Sequence, residues 1–195
     1  MKRSFFSNID GKNSALKKRI IALCINEDGY SIADLSKELN TSIPTITKIV
    51  GELMDEGFLV DMGKLGTNGG RRPSIYGLNP SAGYFVGTDV KKKSISIAVT
   101  NFKGQTVDYL EELPFIVQNS EESFRELCTT IKKYLSDNGI DPSEVLAYGV
   151  NLTGRVNNET GYCFSYFIGE DRPISAFLKE ELQAEVFLEN DSRAM

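Results

Sequence analysis

The sequence lacks the residues on which several classes of protein depend. It contains no histidine, which removes His-assisted nucleophilic catalysis and the commonest metal ligand. Its three cysteines are odd in number, far apart and never spaced as C-x-x-C, which argues against a disulfide framework and a zinc site. They are Cys24, Cys128 and Cys163. These absences predict no metal site and disfavour hydrolase chemistry.

Long apolar segments are also missing. No run approaches the roughly 20 apolar residues that a membrane helix needs, and residues 1–13 have no apolar stretch of the kind a secretory signal contains. A hydrophobic fraction of 41% with 25% charged residues is ordinary for a globular protein. We expect a cytoplasmic protein with no membrane partner.

The charge is divided unevenly along the chain. Residues 1–80 carry 11 Lys and Arg against 9 Asp and Glu, net +2, whereas residues 81–195 carry 11 against 18, net −7. Such a break is typical of two domains with different partners. We predict domains at 1–80 and 81–195.

Three short helices are predicted in the first domain. In the first, residues 14–29, apolar residues recur with helical period: Leu16, Ile20, Leu23 and Cys24. The second, residues 31–40, opens with Ser31 three residues before Asp34, which is the spacing of a capping box. The third begins near Ser42 with Pro44 in its first turn, where a missing N–H is tolerated. Its buried stripe is predicted to be Ile46, Ile49, Val50 and Leu53.

The opposite face of the third helix is small, hydroxylated and basic. A third helix with such a face is typical of a helix-turn-helix, whose recognition helix enters the major groove of DNA. Thr41, Ser42 and the helix N-terminus are predicted to hold a phosphate. Thr45, Thr47 and Lys48 are predicted to reach base edges, and Pro44 belongs to the same predicted DNA-binding face. Each residue alone is also compatible with a solvated helix surface, but the group together favours DNA.

The segment 63-GKLGTNGGRRPSIYGLNP-80 predicts a hairpin with a glycine-rich tip, the wing of a winged helix. Glycines let a backbone lie close to a duplex, and arginine suits a narrow, negative minor groove. Arg71 and Arg72 are therefore predicted to contact the minor groove or phosphates. The alternative is a hairpin tip that only increases solubility.

From Tyr84 onward the pattern changes to strands and two helices in the order βββαβαβ. The strand at 145–152 is apolar almost throughout, which predicts burial on both faces. Functional loops of such an α/β half-domain lie at the carboxyl ends of its parallel strands.

Three segments carry a family resemblance: GGRRPSIYGLNPSAGYFVGTDV, GVNLTGRVNNETG and AEVFLENDSRAM. With the winged helix before them, they resemble the sugar-responsive transcriptional regulators of the ROK family (repressors, open reading frames and kinases). The resemblance implies an α+β multidomain fold, in which a winged helix-turn-helix precedes one βββαβαβ lobe of an actin-like ATPase (ribonuclease-H-like) domain. It also implies a double-stranded DNA operator, homo-oligomers, and a sugar or sugar-phosphate effector of the intact protein, for which we expect weak or no affinity in these 195 residues alone.

The resemblance also assigns site residues. Asn190 and Asp191 match the family's Asn-Asp pair, which binds sugar hydroxyls and supplies the general base of kinase members. Gly154 matches the glycine of the loop beside the sugar, although TGRV departs from the usual Pro-Gly form. Without the resemblance, Asn190, Asp191 and Ser192 would be interpreted as a helix cap.

Two departures from the family pattern bear on function. Kinase members carry a phosphate loop Asp-x-Gly-Gly-Thr, where this chain has 89-DVKKK-93, so we expect no ATP use. Together with the absence of histidine, this altered phosphate loop leads us to expect no cofactor and no enzyme activity. The chain ends at Met195, and the family's downstream Glu-x-Gly-His and cysteine-rich zinc site do not follow. We therefore expect the second lobe to be absent. The main prediction is a DNA-binding repressor of carbohydrate genes, and the alternatives are a ROK-type sugar kinase and a truncated fragment that binds DNA without sensing a sugar.

Overall fold

The computed structural model describes residues 13–64, 73–165 and 172–194. These residues form two compact units. One comprises the described residues between Ser4 and Ala82 together with the turn Phe102–Gly104, and the other comprises Gly83–Asn101 and the described residues of Gln105–Met195. The domain boundary predicted between residues 80 and 81 stays a prediction.

The first unit is a winged helix. Its helices are α1 (Ser14–Asn26), α2 (Ile32–Glu38) and α3 (Ile43–Asp55), and its two strands are β1 (Leu59–Lys64) and β2 (Ser74–Leu78). The strands pair antiparallel, with Leu59 opposite Leu78, and the register shifts between Asp61 and Lys64. The predicted helix-turn-helix and hairpin are therefore confirmed.

Local capping fixes the start of α2 as the sequence predicts. Ser31 Oγ accepts a hydrogen bond from Asp34 N at 3.2 Å, and Ser31 N donates to Asp34 Oδ2 at 3.3 Å. This reciprocal pair satisfies two N–H groups that the helix itself cannot pair. The predicted burial of the α3 stripe is also confirmed, since each of its four residues is at most 2% exposed.

The stripe predicted for α1 was partly wrong. Ile20 and Cys24 are buried as expected, but Leu16 and Leu23 are only half-buried. Lys17 and Ile21 are buried in their place, because α1 packs against both α3 and β2 and therefore buries a broader face than a single apolar stripe.

Lys17 forms an ion-pair network that links α1 to α3. Its Nζ lies 2.5 Å from Glu56 Oε1 and 3.1 Å from Glu52 Oε2, while its side chain is only 8% exposed. Burial by itself lowers the pKa of Lys17, but the hydrogen bonds and negative charges of Glu56 and Glu52 more than offset this effect and leave the pKa above its ordinary value. Lys17 therefore stays charged at neutral pH, and its contribution to stability is lost as the pH rises through that raised pKa.

The turn Phe102–Gly104 completes the core of the first unit. The Phe102 ring lies 5.4 Å from the Phe58 ring, measured between centroids, and both side chains are buried. Phe102 N donates to Pro80 O at 3.4 Å, and Lys103 Nζ lies 2.7 Å from Asp28 Oδ1. A segment distant in sequence thus supplies an aromatic contact to the winged helix.

The second unit contains a five-stranded mixed sheet in the order β5-β4-β3-β6-β9. Strands β3, β6 and β9 are parallel to one another, and β4 and β5 are antiparallel additions at one edge. The predicted βββαβαβ order is confirmed. The strands are β3 (Tyr84–Val90), β4 (Ser94–Asn101), β5 (Thr106–Pro114), β6 (Val145–Leu152) and β9 (Glu185–Asn190), and the helices are α4 (Glu121–Asp137) and α5 (Ile174–Leu182).

Several small elements were not predicted, among them two 3-10 helices at Pro80–Ala82 and Pro142–Glu144. Strands β7 (Val156–Asn157) and β8 (Tyr162–Cys163) form a short hairpin after β6, and the one-turn helix α6 (Asp191–Ala194) follows β9. Two-residue strands give no periodic signal in a sequence, since alternation needs at least four residues to be recognised.

Helices α4 and α5 pack on one face of the sheet, where Tyr148 and Val150 of β6 belong to the core. On the other face of β6, Gly149 is exposed and Asn151 half-buried. The prediction that β6 is buried on both faces was therefore only partly right, because Val145 and Ala147 of this face are buried but its carboxyl-terminal half is not.

Three further observations concern the described part of the chain. No group of three or more His, Cys, Asp or Glu residues there is placed to hold a metal ion. No helix among these residues is long and apolar enough to cross a membrane. All three cysteines are buried and unbridged, and burial raises the pKa of the Cys24 thiol to about 11.

We expect Lys17→Met to lower the free energy of unfolding of the first unit by about 1–3 kcal/mol, because it leaves two carboxylates of α3 without their buried cation. Lys18→Met is the matched control, since Lys18 is the adjacent lysine and is exposed. Urea denaturation followed by circular dichroism measures both variants. Equal stability of the two variants would show that the network contributes nothing.

Candidate functional site

The predicted DNA-contact residues of α3 share one outward face. Thr41 is half-buried, and the others are exposed: Ser42, Pro44, Thr45, Thr47 and Lys48. The buried stripe on the opposite side of α3 sets this orientation. The structure therefore brings these residues together as the sequence predicts, while their contact with DNA stays a prediction.

Hydrogen bonds within the motif order the hydroxyl groups of this face. Ser42 Oγ and Thr45 Oγ1 lie 2.8 Å apart, and Thr47 Oγ1 donates to Ile43 O at 2.9 Å. Thr41 Oγ1 donates to Leu39 O at 3.0 Å. Ser42 is the N-cap residue of α3, yet its side chain makes no capping bond. The first N–H groups of α3 are therefore available to an anion such as a DNA phosphate.

Lys48 is the positively charged residue of this outward face of α3. Its side chain is 71% exposed, and its Nζ lies 3.9 Å from Glu52 Oε1. An exposed pair at that distance contributes little to stability, so Lys48 can exchange Glu52 for a phosphate at small cost. Glu52 also contacts Lys17, which holds the carboxylate near α1.

The wing is only partly described. Strands β1 and β2 are formed, and Gly63 begins the departure from regular pairing with φ of +94° and an N–H donated to Asp61 Oδ1 at 2.8 Å. Arg71 and Arg72 lie outside the described residues. Their predicted contact with the minor groove stays a prediction.

The residues predicted to bind a sugar meet at the carboxyl ends of the parallel strands. Leu152 of β6 is paired with Asn190 of β9, so the loop after β6 lies beside the end of β9. Asn190 Nδ2 donates a hydrogen bond to Gly154 O. The structure thus joins two of the three predicted residues directly.

Asp191, the third predicted residue, begins α6. Its Oδ1 accepts a hydrogen bond from Ser192 N at 2.7 Å, and Asn190 Oδ1 accepts from the same N–H at 3.0 Å. These bonds are those of a helix cap, which was the interpretation made without the family resemblance. The sugar-binding role implied by the resemblance concerns the same residues and stays a prediction. A half-buried carboxylate at a strand end remains suited to accept a bond from a sugar hydroxyl.

Gly154 has a conformation and surroundings that require glycine. Its φ is +123°, and a Cβ there would lie 2.1 Å from Ser165 Oγ. Ser165 Oγ in turn accepts a hydrogen bond from Arg155 N at 3.1 Å. The close approach fixes the loop against Ser165, which sequence reasoning did not identify.

A polar cluster around Glu189 was also missed. Asn158 Nδ2 donates to Glu189 Oε2 at 2.9 Å, and Arg193 Nε lies 2.8 Å from Glu189 Oε1. The hydrogen bond from Asn190 N, followed by that of Asn158 and the Arg193 charge, holds the pKa of Glu189 below its ordinary value. Asn158 and Glu189 line a cavity of about 440 Å³, together with Asn151 of β6. The available signal was the position of Glu189 directly before the Asn-Asp pair.

The three lysines that replace the kinase phosphate loop lie at the turn between β3 and β4. All three are exposed, and Lys91 Nζ is 3.3 Å from Glu112 Oε1. Their ammonium groups are therefore exposed to solvent at the tip of this hairpin.

Comparison with known proteins identifies what the chain is similar to. Residues 14–60 match the family model described as winged helix-turn-helix DNA-binding. The xylose repressor of Caldicellulosiruptor bescii is 24% identical over 180 residues, which are 91% of this chain and 45% of that protein. The xylose repressor of Bacillus subtilis is 25% identical over 91% of this chain and 46% of its own length. The chain thus spans less than half the length of these curated relatives.

A solved structure shows the same fold. It is described as a ROK family transcriptional regulator and homolog of the E. coli MLC protein, and it matches 92% of this chain and 46% of its own with a TM-score of 0.71 and 21% identity. The expected resemblance to ROK regulators is confirmed, as is the fold expected from it, a winged helix-turn-helix followed by an actin-like lobe.

We expect Gly154→Ala to destabilise the second unit by about 1–3 kcal/mol, since an alanine must adopt a left-handed conformation and overlap Ser165. Gly149→Ala is the control, because nothing lies within 4 Å of the Cβ position at Gly149. Chemical denaturation compares the two. If the double substitution Gly154→Ala with Ser165→Gly recovers none of the loss, the overlap with Ser165 is not its cause.

Proposed function

We propose that the chain is the operator-binding and effector-binding part of a transcriptional repressor of carbohydrate genes. The observation that supports this most directly is the outward face of α3, where exposed hydroxyls and Lys48 surround a helix N-terminus within a winged helix. Such a face matches the size and polarity of the major groove. The protein is proposed to act in the cytoplasm by binding operator DNA.

The effector is a sugar or sugar-phosphate bound at the loop of Gly154 and Asn190. The Asn190 amide and the Asp191 carboxylate supply a donor and an acceptor of the kind that sugar hydroxyls require. Because the curated relatives carry the name xylose repressor, D-xylose is the first sugar to test.

The protein is proposed to act by binding and not by catalysis. Side chains of Lys91, Lys92 and Lys93 stand where a kinase needs glycine backbone N–H groups close to ATP phosphates. A homo-oligomer is proposed as well, because a winged helix that recognises a two-fold operator binds it as a dimer.

The first experiment measures fluorescence anisotropy of duplexes selected from the source genome, at two salt concentrations. We expect Lys48→Ala and the pair Arg71→Ala with Arg72→Ala to weaken binding, and each lost phosphate contact to flatten the log-log salt dependence by about 0.9. Lys133→Ala, an equal charge change at an exposed position of α4 in the second unit, leaves the slope unchanged. Failure of the native chain to bind any duplex would contradict the proposal.

The effector is tested on the preformed complex. We expect one member of a sugar and sugar-phosphate panel that includes D-xylose to lower the anisotropy of bound DNA, and Asn190→Ala to abolish that response while binding the duplex with unchanged affinity. Lack of response to every sugar would remove the effector from the proposal and leave operator binding in place.

A further inference from the structure

Ile43 presents an apolar side chain at the position where polar ones are expected. It is the first residue of α3 and 55% of it is exposed. Its neighbours Ser42 and Pro44 are exposed as well. Single exposed aliphatic side chains are common on protein surfaces, so it is the position of Ile43 at the start of the recognition helix that makes a contact with DNA the use to consider.

The polar groups around Ile43 already use hydrogen bonds within the motif. The Thr47 hydroxyl proton is donated to Ile43 O, and the hydroxyls of Ser42 and Thr45 share one hydrogen bond. These groups retain acceptor capacity, but fewer protons remain for base acceptors. The isoleucine side chain is the exposed aliphatic group beside them.

DNA offers one apolar group in the major groove, the C5-methyl of thymine. Residues at the N-terminus of a recognition helix are those that approach base edges. Ile43 therefore combines the position of a base-reading residue with the chemistry of methyl recognition.

We infer that Ile43 packs against a thymine C5-methyl and makes the protein select thymine at that position of each half-site. This inference rests on the proposed function, since it names a specificity residue of the same surface. Cytosine, which has no methyl group, is rejected there because Ile43 would meet water and the exocyclic amine in place of an apolar group.

The experiment uses the full chain and the duplex that it selects. Each thymine is replaced in turn by deoxyuridine, which removes only the methyl, and dissociation constants are measured for the native chain and Ile43→Ala. We expect deoxyuridine at one position per half-site to weaken native binding about threefold to tenfold, the effect of one buried methyl group or slightly more. In Ile43→Ala the same replacement has no effect.

Ile25→Ala is the matched control. Ile25 is the same residue type, is 60% exposed and lies on α1, outside the recognition helix. This variant should bind both duplexes as the native chain does. Ile43→Val, which keeps the β-branch, should give an intermediate response, and thermal unfolding by circular dichroism should give native-like curves for all three variants because both positions are exposed.

The possible outcomes distinguish failure of the inference about Ile43 from failure of the proposed function. If the native chain selects a duplex and the effect of deoxyuridine is equal in native and Ile43→Ala proteins at every thymine, Ile43 does not read a methyl group and the inference fails alone. If Ile43→Ala changes the oligomeric state at unchanged DNA affinity, the residue belongs to a contact between copies. If the native chain selects no duplex, the proposed function fails and the inference fails with it.

Discussion

Burial of one stripe of α3 is the constraint on which the proposed DNA surface depends. Ile46, Ile49 and Leu53 are completely buried, and a helix turns about 100° per residue. Once that stripe is fixed in the core, the helical period determines which residues of α3 point outward. The Lys17 network adds a polar restraint on rotation of α3, because it bonds to carboxylates one turn apart on that helix. The outward face of α3 is thus determined by the packing of its buried stripe.

The second unit uses parallel strands for a comparable purpose. Strands β3, β6 and β9 run in one direction, so the segments that follow them emerge at one edge of the sheet. This arrangement brings Gly154 and Asn190, which are 36 residues apart, into direct contact. Their bond holds the loop against the strand end with side-chain and backbone groups already oriented, which reduces the ordering that a polar ligand would require.

The sequence predicted those features that depend on local periodicity and failed where distant segments decide. The α3 stripe, the Ser31 capping box and the strand order follow from spacing alone. Burial of Lys17 could not be predicted, because its carboxylate partners lie 35 and 39 residues away. The same reason applies to Phe102, because its contact with Phe58 depends on the turn between β4 and β5, which is distant in sequence. Ser165 and Glu189 were missed because their roles depend on the loop geometry around Gly154.

Under the proposed function, charge alone would be a weak source of DNA affinity. The chain carries a net charge of −5, and residues 1–80 carry only +2, so long-range attraction to phosphates is small compared with that of strongly basic DNA-binding domains. In the proposed function, selectivity would therefore come from short-range contacts at the start of α3, where hydroxyls, backbone N–H groups and the Ile43 side chain lie together. A thymine methyl is suited to such a surface, since the contact between two apolar groups requires no charge and is insensitive to the acidic remainder of the chain.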